Sequence, residues 1–122
     1  MYIKYYDNVR YDVISQIPAR GYKKILEVGG GQFSTLLKLN ETEHAELWGV
    51  DIYPCNLSEI KFVYGSIESP DVKSQIPDQY FDLIIANDVI EHLSDSDAFM
   101  SFVSQKLKPE GILVASIPNI RQ

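Results

Sequence analysis

Ile25-Leu26-Glu27-Val28-Gly29-Gly30-Gly31-Gln32-Phe33-Ser34 decides how this chain is read. A short apolar run ends in three glycines, and Leu36, Leu37 and Leu39 follow at helix-like spacing. The pattern predicts a strand, a tight turn and a helix N-terminus. Glycine at such a turn takes positive φ and admits a ligand without a Cβ in the way. A helix start adds free N–H groups and a partial positive charge. A plain strand–helix turn that happens to use glycine fits the same residues, because a lone Gly-rich turn is a weak signal.

Two acids sharpen the reading. Glu27 lies two residues before the first glycine, which puts its carboxylate at the strand end. Asp51 lies 22 residues after Gly29 and closes a second apolar run, Leu47-Trp48-Gly49-Val50. An acid about 20 residues past a Gly turn typically takes ribose hydroxyls, so the pattern points to a nucleoside derivative. A dinucleotide fingerprint needs a last glycine where Ser34 stands, and Glu27 would set a negative charge near its phosphates. A phosphate-binding P-loop needs Gly-Lys-Ser or Gly-Lys-Thr, and no Lys follows the glycines before Lys38. A ligand with an ammonium and a sulfonium but no phosphate fits Glu27 better, and S-adenosylmethionine is such a ligand. Here the chain resembles the class I S-adenosylmethionine-dependent methyltransferases. Their first motif, hydrophobic-[Asp/Glu]-x-Gly-x-Gly-x-Gly, is matched by Glu27, Gly29 and Gly31. Phe33 stands at the position of the last glycine, and the expectation is that it narrows the pocket beside the methionine moiety.

Composition sets the frame. With 122 residues, 45% apolar and 23% charged, the chain reads as one globular domain over residues 1–122. The net charge of −6 disfavours nucleic acid and anionic membrane as partners. One cysteine, Cys55, excludes an internal disulfide and suits a reducing, cytoplasmic setting. No apolar run reaches the ~20 residues of a membrane span, and the N-terminus lacks a signal-peptide core.

Along the chain, Tyr6, Val9, Val13, Ile14 and Ile17 predict a helix from about Tyr5 to Ile17, ended by Pro18 and Gly21. Covering a sheet face is its default role, with Tyr5 and Tyr6 at the ligand mouth as the alternative. Strands are predicted at Lys24 to Val28, Glu46 to Val50, Lys61 to Tyr64, Phe81 to Asn87 and Ile112 to Ile117. A helix from Ser34 to Leu39 stops near Asn40, and Pro54 with Asn56 opens a short turn or helix. Phe81-Asp82-Leu83-Ile84-Ile85-Ala86-Asn87 is apolar enough to be buried on both faces, hence parallel and central. Ser94 and Asp97 resemble a capping box opening a helix whose buried face carries Phe99, Phe102, Val103 and Leu107. Pro109 and Gly111 end that helix. The alternation predicts an α/β fold: a doubly wound, Rossmann-like, mostly parallel sheet of order 3-2-1-4-5, with its crevice between strands 1 and 4.

The resemblance runs from about Tyr5 to the C-terminus. Asp88-Val89-Ile90-Glu91-His92 looks like the Asp-Val-[Ile/Leu]-Glu-His segment of many small-molecule methyltransferases. Leu107-Lys108-Pro109-Glu110-Gly111 resembles their Leu-Lys-Pro-Gly-Gly turn, and Ser116-Ile117-Pro118-Asn119 resembles enzymes of bacterial polysaccharide systems. The resemblance implies that Gly29, Gly30 and Gly31 border the methionine part and that Glu27 holds its ammonium. It also implies that Asp51 takes the ribose hydroxyls and that Ile52 packs on the adenine. Ser66 replaces the family's Asp in Gly65-Ser66-Ile67-Glu68, so Ser66 and Ile67 are expected at the adenine edge or in a plain loop. Asn87 and Asp88 are expected beside the cofactor. His92 is the candidate general base for a hydroxyl acceptor, with a surface or capping histidine as the alternative. No H-x-x-H or H-E-x-x-H spacing is present, so no metal is expected.

Fuller members of the family continue past the fifth strand. The leading expectation is methyl transfer to a small molecule or sugar hydroxyl. Its rivals are a non-catalytic S-adenosylmethionine-binding or assembly module and, more weakly, a nucleotide-dependent oxidoreductase. Strand 5 has no charge and no Pro before Pro118, so its free edge predicts a homo-oligomer.

Overall fold

A computed structural model describes residues 10–116. The elements are α1 (Tyr11–Ile14), β1 (Lys24–Val28), α2 (Ser34–Glu43), β2 (Glu46–Asp51), β3 (Ile60–Tyr64), α3 (Pro70–Ser74), β4 (Phe81–Asn87), α4 (Ser96–Lys106) and β5 (Leu107–Ser116). The five strands form one sheet in the order β3-β2-β1-β4-β5. Every adjacent pair is parallel. This is the doubly wound order the sequence predicts. Successive strand residues point to opposite faces, so β1 sends Leu26 and Val28 one way and Ile25 the other. Leu26 and Val28 join Val50, Ile84, Phe99 and Phe102 under α3 and α4. Ile25 joins Phe33, Leu36, Leu83 and Ile85 under α1 and α2. β4, buried on both faces, is the central wall.

Several local readings are corrected. α1 ends at Ile14 rather than Ile17; Tyr5, Tyr6 and Val9 lie outside the described residues, as do Ile117 to Asn119. Asn40 does not stop α2, which runs on to Glu43 and ends with His44 at φ 56°. The Asn40 side chain instead holds both backbone groups of Ala45. Pro54 and Asn56 lie in a segment without helix. α3 was not expected: Pro70 at its first position starts it, because the missing N–H has no intrahelical partner there anyway. Asp95, not Ser94, caps α4, accepting the Ala98 N–H at 2.9 Å. Ser94 is held by the Glu68 carboxylate. Lys106 takes the buried place expected of Leu107, its ammonium bonded to Ile76 O and Asp78 at 2.7 Å each. β5 begins at Leu107, and its Lys108–Gly111 segment spans the register shift against Phe81 and Leu83. No helix among the described residues is long and apolar enough to cross a membrane.

Phe33 ties the Gly-rich turn to the core. It stands at α2's N-cap with φ 60°. That left-handed backbone turns its ring inward, where it is fully buried and meets Phe62 edge-on at 5.9 Å. A Cβ on Gly49 would come within 2.6 Å of the ring, so β2 leaves the space that Phe33 fills. The expectation that Phe33 narrows the ligand pocket is therefore corrected: it lies in the core beneath the turn. Phe33→Ala is predicted to lower unfolding free energy by about 3–5 kcal/mol, measured as a shift of the urea midpoint.

Candidate functional site

The carboxyl ends of parallel strands collect loops on one edge of the sheet, and that edge is where open α/β sheets bind ligands. In this chain the β1 turn leaves Val28 with Gly29 at φ 74° and Gly31 at φ 63°. The Gly29 N–H donates to Val50 O at 2.7 Å, which ties the turn to β2. A Cβ on Gly29 would sit 2.5 Å from a Val89 methyl, so only glycine lets the β1 and β4 loops touch. The Asp51 carboxylate accepts the Gly31 N–H at 2.7 Å and the Tyr53 N–H at 2.9 Å. Asp51 O in turn accepts the Gly65 N–H at 2.8 Å.

These loops enclose a cavity of about 440 Å³, within the usual range for small-molecule sites. Val28, Gly29 and Gly31 form its floor from β1; Val50, Asp51, Ile52 and Tyr53 its wall from β2. The β3 side supplies Gly65, Ser66, Ile67 and Glu68, and the β4 side Asp88, Val89, His92 and Leu93. The walls are mainly apolar, with Asp51 and Asp88 at opposite sides. Ser66 Oγ accepts the Glu68 N–H at 3.1 Å, so its own O–H remains available as a donor.

Of the residues singled out in the sequence, Gly29, Gly31, Asp51, Ile52, Ser66, Ile67, Asp88 and His92 come together on this cavity. Gly30, Glu27 and Asn87 lie behind its lining. A Cβ on Gly30 would be 2.4 Å from the Phe33 ring and 2.9 Å from the Glu27 carboxyl carbon, so both press on the turn from below. Asn87 Oδ1 accepts the Ser116 hydroxyl, joining β4 to β5. His92 lies in the one-turn 3₁₀ helix Ile90–His92. Its side chain is 77% exposed, with Nε2 3.3 Å from Glu91. The sequence reading omitted Tyr53, Val89 and Leu93, although each is adjacent to or within a segment it quoted. It also omitted Arg10, whose guanidinium pairs with Asp88 across 78 residues of chain and which no local pattern could reveal.

Glu27 is the unusual group. It is 1% exposed, and its Oε1 has no hydrogen-bond partner among the described residues. Burial foremost, then the nearby Asp51 charge, push its pKa up to about 8, opposed by the Leu36 N–H. A carboxyl raised in the folded state binds a proton that the unfolded chain has released. Its contribution to stability is thus fully present below about pH 4.5 and fades as pH rises toward about 8. Glu27→Gln is predicted to remove this loss, gaining on the order of a few kcal/mol over wild type at pH 8 and little at pH 5. Denaturant unfolding of both proteins at the two pH values checks this.

Comparison with known proteins agrees with the geometry. A family model described as a methyltransferase domain matches residues 5–122. A trans-aconitate 2-methyltransferase of Escherichia coli is 24% identical over 111 residues, covering 88% of this chain and 44% of the relative. The chain thus spans less than half the length of that curated relative. Among solved structures, a complex of the Haloferax volcanii Trm112 methyltransferase activator with a methyltransferase matches with a TM-score of 0.75. Identity there is 15%, with 93% of this chain and 53% of that one covered, so the likeness speaks to fold. An Archaeoglobus fulgidus SAM-dependent methyltransferase is 28% identical with a TM-score of 0.55, covering 80% of this chain and 45% of its own. With nearly its whole length matched by the family model, this chain belongs to the methyltransferase-domain family.

Proposed function

We propose that this chain forms the cofactor-binding domain of an S-adenosylmethionine-dependent methyltransferase whose acceptor is a small molecule bearing a hydroxyl. The observation that carries the reading is the Asp51 carboxylate standing in one cavity with the Gly29–Gly31 turn. The residues present fit the cofactor. Asp51 spends one lone pair of each oxygen on Gly31 and Tyr53, and a carboxylate has about four such sites. The remaining pairs suit two vicinal ribose hydroxyls. Ile52, which is 57% exposed, and Ile67 offer apolar surface to an adenine, and the Ser66 hydroxyl offers a donor to its edge. Glu27 would support the Gly turn from beneath rather than contact the ammonium, since it lies against the turn and Phe33.

When bound, S-adenosylmethionine supplies a methyl group already activated on a sulfonium. The chain's own work is then to orient the partners and exclude water. Val28, Val50, Val89 and Leu93 make the cavity wall apolar. His92 would take the acceptor's proton at the rim, with the Glu91 carboxylate 3.3 Å from its Nε2. No Lys or Arg lines the cavity among the described residues. That favours an uncharged acceptor, such as a sugar hydroxyl, over a polycarboxylate of the kind named for the Escherichia coli relative. A second reading, a binding or assembly module, draws support from the Haloferax neighbour, which was solved with an activator protein. Methyl transfer from labelled cofactor separates the two. Association through the β5 edge, whose Ile112, Leu113 and Val114 are only half-buried, is part of the proposal; light scattering should give a mass above the monomer, and a sharp monomer mass would remove it.

Calorimetry should show S-adenosylhomocysteine binding and NAD not binding. Asp51→Ala should weaken binding about 10²-fold or more, through loss of charge-assisted hydrogen bonds; unchanged affinity would sink the ribose assignment. If the protein is active on a hydroxyl, His92→Ala should lower turnover by about 10²–10⁴ with cofactor affinity near normal, and full activity would remove His92 from the chemistry.

A further inference from the structure

Arg10 ties the start of α2 and Asp12 of α1 to Asp88 on the cavity wall. Its backbone N–H donates to Thr35 Oγ1 at 2.9 Å, at the start of α2. Its guanidinium donates Nε–H to Asp12 at 3.0 Å and an Nη2–H at 2.8 Å. The other arm, Nη1, pairs with Asp88 Oδ2. The Arg10 side chain is 30% exposed and that of Asp88 37%. Asp88 cannot swing away freely. Its backbone is left-handed, at φ 58°, and its N–H is bonded to Ser116 O at 3.0 Å. Its second oxygen lies 3.3 Å from the Ser116 hydroxyl. The next residue, Val89, is the one that packs on Gly29. Asp88 therefore holds a fixed negative charge on the cavity wall beside the Gly turn, and Arg10, whose guanidinium is shared with Asp12, pairs with it.

A sulfonium methyl donor and its thioether product differ by one positive charge and one methyl group. A wall bearing a compensated ion pair treats the two charge states nearly alike, whereas a wall bearing one bare charge does not. We infer that Arg10 is a specificity-determining residue: by neutralising Asp88 it sets how strongly the site prefers the cationic donor over the neutral product. The inference rests on the proposed function and adds to it the control of product release. With Arg10 in place, the Asp88 carboxylate does not hold the donor excessively tightly, and the neutral product is not displaced from the cavity by charge alone.

The test is the ratio of S-adenosylmethionine to S-adenosylhomocysteine affinity, measured by calorimetry at low ionic strength. Arg10→Gln should raise the ratio by roughly three- to ten-fold, the size expected for one uncovered charge near a partly exposed site. Asp88→Asn should lower it by a similar factor, because the cavity wall then loses its negative charge while Arg10 stays paired with Asp12. Arg10→Lys should bring the ratio back toward wild type, and high salt should shrink all three effects. A merely structural role would change both affinities together and leave the ratio alone. An unchanged ratio in Asp88→Asn, which decides the matter alone should Arg10→Gln fail to fold, would overturn the inference. Failure of the wild-type chain to bind either ligand would overturn the proposed function, and this inference with it.

Discussion

The hydrogen bond from the Gly31 N–H to the Asp51 carboxylate, 2.7 Å long, is the contact on which the site depends. It spans β1 and β2 at their carboxyl ends and holds the Gly-rich turn over the sheet. The turn could not sit there with ordinary side chains. Gly29 must admit the Val89 methyl, and Gly30 must clear both the Phe33 ring and Glu27. Phe33 in turn needs the empty space at Gly49. A chain of close approaches thus runs from the core to the cavity, and the cavity has its shape because each link is tight. Protein interiors pack densely enough that a change at one link is felt at the next.

Charge is the second constraint. Glu27, Asp51 and Asp88 all cluster around one turn, in a chain of net charge −6. Each is managed differently. Glu27 is buried and holds its proton well above the usual carboxyl range. Asp51 accepts two backbone N–H groups, from Gly31 and Tyr53. Asp88 has Arg10. Three acids in three environments give a site that can receive a positively charged ligand without carrying three bare charges when empty. The low polarity of the surrounding walls makes these differences matter more than they would in water.

The sheet order was legible because alternating apolar strands and helices admit few topologies, and β4's apolar run could only be central. Asp51 and the glycines were legible because their spacing follows from one strand–turn–helix–strand unit. Other features were not. Phe33 reads as an intruder in a Gly motif until its left-handed backbone is seen to aim the ring at Gly49. Ser94 looks like a cap, but the Glu68 carboxylate, 26 residues earlier, claims its hydroxyl and N–H. Arg10 gives no local signal at all. Its meaning comes from Asp88, which only the fold brings near. Local patterns reveal elements and turns; contacts between distant segments decide which neighbour a side chain finally serves.

The central claim is that a nucleoside-bearing ligand occupies the cavity at the carboxyl ends of β1, β2 and β4. Backbone amide chemical shifts, followed by NMR as S-adenosylhomocysteine is added, test it most directly. Saturating shifts are expected at Gly29, Gly31, Tyr53, Ile67 and Val89, with residues at the opposite end of the strands, such as Lys24 and Lys108, unmoved. Shifts concentrated instead at the Arg20, Gly21 and Lys108–Gly111 cleft, or no shifts at all, would contradict it.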